Sequence, residues 1–147
     1  MTTPKFVLAL LSALTVSICS AQSSPIEPTP RDPDSESLLA LPWKSFDQTQ
    51  NSGWRVYVNP TRKQYLEAAK LIEAYLDRHA ELTPRQRALC HYHAAHQYIY
   101  RAVLTGVGDP LDALPHLEKA IVPSKETAPS LDWNEMVIAT KAFLMGD

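Results

Sequence analysis

The stretch CHYHAAHQYIYRA, residues 90–102, sets Cys90, His91, His93 and His96 within seven positions. Two chemistries use such residues. Imidazoles at helical spacing bind zinc-class metals, and a thiolate beside an imidazole is a nucleophile. Helical geometry tests both. At 100° per residue, His91 and His93 point about 160° apart, so the three imidazoles do not converge on one ion. Only His93 and His96, at i and i+3, share a side, and they need one or two further ligands from elsewhere. No HExxH pattern and no thiolate pair supplies them. Cys90 and His91 diverge by about 100°. His93 is within reach of Cys90, but the apolar surroundings of this cysteine favour a buried, inert thiol.

The same helical projection sorts the rest of the stretch. Ala88, Tyr92, Ala95, Ile99 and Val103 form a core stripe, with His91 and His96 on its two borders. His93, Gln97 and Arg101 recur at i, i+4 and i+8 as a polar row on a helix that is otherwise nearly apolar. Such a row lines a recognition groove, meets buried partners, or faces solvent. Asp47 and Arg55 are the charged residues placed to meet it.

These residues need elements to hold them. The segment 38–58 carries Trp43, Phe46 and Trp54 at spacings that fit no helix stripe. NSG at 51–53 reads as a turn, and WRVYV at 54–58 as a short extended piece. This segment is expected to cap one end of a helical array. About four helices are expected after it. The first, 59–80, has Asn59 as cap and Pro60 at the first helical position. Tyr65, Ala68, Ala69, Ile72, Tyr75, Leu76 and His79 form its inner face, and Glu67, Lys70, Glu73 and Asp77 face water. The second, 81–106, opens on a Thr83-Pro84-Arg85-Gln86 capping box and ends at Gly106. The third, 109–122, starts at Asp109-Pro110. Pro115 delays its regular part to about Asp112. The fourth, 130–146, is capped by Asp132 with Glu135 three residues on. Trp133, Met136, Val137, Thr140, Phe143 and Leu144 form its stripe. Short loops predict an all-α fold of antiparallel helical hairpins.

Ahead of this domain, expected to run from residue 38 to 147, lie two other segments. Residues 1–21 read as a secretory signal peptide, with a 13-residue apolar run at 6–18 and cleavage after Ala21. A lipoprotein signal with Cys19 as the lipidated residue is the rival, disfavoured by bulky Ile18. The apolar run is short for a bilayer-spanning helix, which needs about 20 residues. Residues 22–37 hold four prolines and no aromatic residue and read as a tether. The expected location is periplasmic or secreted. Cleavage removes Lys5 and takes the net charge from −2 to −3. No basic stripe points to nucleic acid. Cys90 would be the sole remaining cysteine, so an intramolecular disulfide is excluded.

DALPHLEKAIV, within 109–122, resembles the second helix of a tetratricopeptide repeat, with Ala113, Leu117 and Ala120 matching its small-large-small pattern. Ala95 and Tyr98 match positions of that repeat's first helix. LPWKSFDQTQNSGWR (41–55), HAAHQ (93–97), HLEKAI (116–121) and DWNEMVIATKAFL (132–144) together resemble a group of small exported bacterial proteins that are tetratricopeptide-like. That resemblance implies the fold and export and supplies no mechanism.

There is no GxSxG, GxxxxGK[ST] or GxGxxG, and the chain has only four glycines. The expectation is therefore a non-enzymatic module that binds a protein or peptide, with no cofactor and no metal. Tyr98, Tyr100 and Trp54 would anchor the partner, and His93, Gln97 and Arg101, with Asp47 and Arg55, would select it. Two rivals stand beside it. One is a small metal- or His-dependent hydrolase using His93 with His96 or Asp47. The other is a self-associating structural module.

Overall fold

Residues 34–123 and 133–146 are described by the computed structural model of the chain. The expected signal peptide, the Ala21 and Cys19 alternatives, most of the tether and the Asp132 cap lie outside them. Among the described residues every regular element is helical.

The first element departs from expectation. Residues 35–37, assigned to the tether, join Leu38 and Leu39 in helix α1, Ser35–Leu39, because the Asp34 carboxylate caps it by accepting from the Glu36 N–H. A single π-helical turn, Lys44–Gln48, follows, then a 3₁₀ turn, Gly53–Val56. The 3₁₀ turn replaces the extended piece expected at 54–58. Burial of Trp54 and Tyr57 overrides local strand preference there. The segment packs against α2 through buried side chains. Phe46 stacks on Tyr75 with ring centroids 3.7 Å apart, and the Tyr75 hydroxyl donates to the Leu41 carbonyl at 3.0 Å. Each such fully buried large side chain contributes roughly 1.5–3 kcal/mol.

Helix α2 spans Tyr65–Arg78, not 59–80. Asn59 does act as a cap, accepting from the Thr61 and Arg62 N–H groups. The turn it caps stops at Lys63, whose φ of +52° breaks the helical path. The inner face is as expected from Ala68 to Leu76. Helix α3, Pro84–Thr105, has the expected start and stop. Thr83 and Gln86 bond reciprocally, and Gly106 closes the helix at φ +70°. The start of α3 lies against the end of α2, where Arg87 donates to the Leu76 and His79 carbonyls at 3.2 and 3.1 Å. The start of α2 lies against the end of α3 through Tyr65 and Tyr100.

A 3₁₀ turn, Pro110–Ala113, precedes helix α4, Leu114–Lys119. Asp109 caps the turn through the Leu111 N–H at 2.8 Å. Pro115 falls in the first turn of α4, where no N–H is needed, so regular helix begins two residues later than expected. Helix α5 spans Trp133–Met145. Its indole N–H donates to the Ala120 carbonyl at 2.7 Å, and Asn134 brackets both backbone groups of Val122.

Two cores result, and α3 serves both. Cys90 and Ala94 of α3 join Phe46, Trp54, Ile72 and Tyr75 in one. Ala95 joins Ala113, Leu117, Ala120 and Val137 in the other. The stripe expected on α5 is only partly inside. Val137 is buried, whereas Met136 and Phe143 are exposed. Among the described residues, α4 and the 3₁₀ turn before it make the extended contacts with α5, and they cover a narrow face.

Candidate functional site

The polar row on α3 meets the cap, and what it meets is packed protein. Asp47, on the π-helical turn, is fully buried. Its Oδ1 lies 2.7 Å from His93 Nδ1 and accepts from the Trp54 indole N–H at 3.1 Å. Gln48 donates to its other oxygen. Burial alone would raise the Asp47 pKa, but the His93 hydrogen bond and charge, with Trp54 and Gln48, outweigh it and hold the carboxyl below its usual range. Arg55 donates to the Asp47 backbone carbonyl and lies 4.1 Å from the Trp54 ring centre.

Gln97 is 3 % exposed and donates to the His93 carbonyl at 3.3 Å, while its buried Oε1 has no partner. Arg101 is half-buried and lies along Gly108. The structure thus brings Asp47, Trp54, Arg55, His93 and Gln97 together as an internal network. Trp54 and Gln97 lie inside it and present no surface to a partner, because the cap is laid directly on α3. Tyr100 is the expected anchor that is exposed. Tyr98 belongs to a different cluster.

Cys90 is fully buried, and burial, with the Asp47 charge, pushes its thiol up to about 12. It is protonated at neutral pH and does not serve as a nucleophile there. Asp47 does hold His93 as carboxylates hold catalytic imidazoles.

Sequence reasoning missed a second cluster. Glu73, expected to face water, accepts from the Tyr98 hydroxyl at 2.6 Å and lies 3.0 Å from His116 Nε2. His116 Nδ1 lies 3.2 Å from His91 Nδ1. Three helices contribute: α2, α3 and α4. Nothing local signals the meeting, since His116 sits in a helix whose legible feature is its alanine-leucine stripe.

The histidines carry a pH prediction. Burial lowers the pKa of His91, to about 4, and those of His96 and His116. Positive neighbours add to this at His91. Burial also opposes the charged form of His79, but the Leu39 carbonyl and Glu81 carboxylate outweigh it and raise that pKa. A depressed histidine contributes stability above its unfolded pKa of about 6.5 that is lost as pH falls. A raised one contributes stability below that value that is lost as pH rises. Three depressed groups against one raised predict a lower denaturant midpoint at pH 5 than at pH 7.5. A flat or rising midpoint on acidification would contradict this.

The surface offers a different kind of site. Ile138, Phe143 and Met145 of α5 are all exposed, Phe143 at 82 %. Met136, Ala139 and Glu135 share that outer side, so one charge interrupts an apolar face. Val103, Leu104 and Val107, at the end of α3, are exposed as well. No family model, curated protein or solved structure matches the chain.

Proposed function

We propose that this chain is a non-enzymatic, tetratricopeptide-like module of antiparallel helical hairpins, exported to the bacterial periplasm or beyond, that binds a protein or peptide partner. The observation that carries this reading is the apolar outer face of α5. Soluble proteins seldom leave large contiguous apolar surfaces uncovered, and those they leave mark interaction sites. Ala139 and Ala142 are small enough for a partner backbone to approach closely. Phe143 supplies the large anchor such interfaces concentrate their energy in. Complete burial of Ala113, Leu117 and Ala120 against Ala95 of α3 supports the tetratricopeptide likeness. Docking would therefore use α5, and the His93 network would hold the cap segment on α3.

Phe143→Asp is expected to change folding stability by less than about 0.5 kcal/mol, as exposed substitutions do. It should weaken partner capture by at least about 30-fold, the loss of one anchor. Affinity capture from an envelope fraction with wild type and variant is the measurement. Equal recovery of the same partner by both would defeat the reading. If the captured partner is the chain itself, mass measurement at high concentration will show a dimer that Phe143→Asp removes, and the self-associating reading replaces this one.

A further inference from the structure

We propose that the fold is closed by two histidine latches with opposite proton demands, so that acid loosens α4 and alkali loosens α1. The first latch is His79, which ties α1 to the end of α2. The second is the His91–His116 pair, which ties α4 to α3 and α2. Neither depends on the function proposed for the α5 face.

Each latch sits at the edge of a different core. Leu39 of α1 is buried with Phe46, Ile72 and Tyr75, and Leu117 of α4 is buried with Ala95 and Val137. Helices α1 and α4 have five and six residues. Helices this short do not sustain themselves in water, so each is held by its tertiary contacts. Weakening one polar tie is then felt locally, before the domain unfolds.

His79 has an acceptor at each ring nitrogen. Nε2 lies 2.9 Å from the Leu39 carbonyl oxygen, and Nδ1 lies 2.6 Å from Glu81 Oε1. A carbonyl and a carboxylate only accept, so both nitrogens carry hydrogen and the bonded ring is the imidazolium. The ring also lies against Tyr75, with centroids 4.0 Å apart, and an aromatic face favours a cation. Arg78 opposes the charge but is paired with Glu36 of α1 at 2.8 Å. Arg87 of α3 reaches the His79 backbone carbonyl. Burial works against the charged ring, but the Leu39 and Glu81 bonds outweigh it and raise the pKa. Removing one proton turns a lone pair toward an acceptor and weakens the clamp. A raised pKa gives stability that is present below about pH 6.5 and is lost as pH rises through the folded value.

The His91–His116 pair has the reverse requirement. Its facing Nδ1 atoms are 3.2 Å apart, which leaves room for one hydrogen between them. His116 Nε2 lies 3.0 Å from Glu73, which also accepts from the Tyr98 hydroxyl, so that nitrogen carries a hydrogen. His116 Nδ1 then presents its lone pair, and His91 Nδ1–H donates to it. One added proton can enter at His116 Nδ1 if His91 moves its own hydrogen to Nε2. A second sets two N–H groups and two cations face to face. Lys119 of α4 and Arg87 of α3 line the same cleft and add repulsion, and Glu73 and Asp77 of α2 offset them. Burial, then His116, Lys119 and Arg87, push His91 down to about 4. Burial also lowers His116, against the pull of Glu73. A depressed pKa gives stability that is present above about pH 6.5 and is lost as pH falls through the folded value. The remaining depressed imidazole, His96, touches Tyr92 and Tyr100 of its own helix and belongs to neither latch.

The test is amide hydrogen exchange of the full chain at about pH 4.5, 6.5 and 8.5, read over α1 and α4 by mass spectrometry. Each rate is divided by that of the unfolded sequence at the same pH, which gives a protection factor. From the middle pH to the acid one, protection of α4 should fall at least about 10-fold, and that of α1 should stay within about 2-fold. From the middle pH to the alkaline one, α1 should lose at least about 3-fold and α4 should stay within about 2-fold. His91→Asn keeps an amide donor near the Nδ1 position without a titrating ring and should abolish the acid fall. His79→Gln keeps a donor near Nε2 for the Leu39 carbonyl and should abolish the alkaline fall. Constant protection across the range would overturn the proposal, as would equal losses in both helices. So would a wild-type acid fall in His91→Asn or a wild-type alkaline fall in His79→Gln. Should either variant fail to fold, imidazole nitrogen NMR of wild type decides. At the middle pH both His79 nitrogens should carry hydrogen, and His116 should carry it on Nε2 alone. A neutral His79, or a His116 protonated on both nitrogens, would refute the opposed latches.

Discussion

Replacing Asp47 with alanine is expected to destabilise the domain by about 3–5 kcal/mol, because it strips the acceptor from several hydrogen bonds around a fully buried carboxylate. Asp47 is fully buried and receives hydrogen bonds from Trp54, Gln48 and the His93 ring. Its loss leaves the buried indole N–H without an acceptor and takes the partner from His93. At about 4–8 °C per kcal/mol for a domain of this size, the melting temperature should fall by more than 10 °C. Asp47→Asn keeps the volume and one acceptor and should lose less. The lowered pKa of Asp47 adds a pH signature. A depressed carboxylate contributes stability above its unfolded pKa that is lost as pH falls through the folded value. The gap between wild type and Asp47→Asn should therefore narrow below about pH 3.9. Urea unfolding of the three proteins measures all of this. A loss under about 1 kcal/mol for Asp47→Ala would show that the network is solvated in solution.

The second large effect is expected at Gly53, which joins the two turns of the cap. It has φ +53°, and a Cβ there would lie 1.9 Å from the Phe46 carbonyl oxygen and 2.6 Å from the Phe46 Cα. Gly53→Ala therefore combines left-handed backbone strain, about 1–3 kcal/mol, with a clash against main chain that no rotamer change relieves. The turn must move, and Trp54 and Asp47 move with it. Gly106 is the control. Its φ is +70°, and nothing lies within 4 Å of an added Cβ. Gly106→Ala should show the conformational part alone, about 1 kcal/mol. Gly53→Ala should exceed it by at least about 2 kcal/mol. Equal losses in equilibrium unfolding would mean the close approach to Phe46 is not maintained.

Together the two substitutions ask whether the cap and α3 form one structural unit. If they do, His93 and Gln97 are parts of the frame. The partner binding we propose would then belong to surfaces that can change without unfolding the domain, such as the outer face of α5 with its exposed Phe143.

How far the sequence could be read varied with the range of the interactions. Helix α3 was legible at both ends, because a capping box and a left-handed glycine are local devices within a few residues of the boundary. The inner face of α2 was legible by its periodicity, but its start was not. Asn59-Pro60 has the signature of a helix opening, yet Lys63 adopts a left-handed conformation that its residue type does not announce. The 54–58 piece was misread because strand preference is weak beside the burial of Trp54. On α5 the spacing of apolar residues was read as one inward stripe. Periodicity reports which residues share a side, and only the neighbours decide which side is covered.

The site shows the same division. By itself the sequence determined that His91 and His93 point apart, that Cys90 is suited to burial, and that His93, Gln97 and Arg101 share a row, because helix geometry alone dictates angles along one element. Tertiary structure alone decided that the row faces packed protein through Asp47, that Glu73 turns inward to Tyr98 and His116, and that a histidine from α4 completes a pair with His91. These contacts join residues 25 to 46 positions apart. They arise because burying the alanine, leucine and aromatic faces brings the helices together, and the polar side chains on those faces must then find one another.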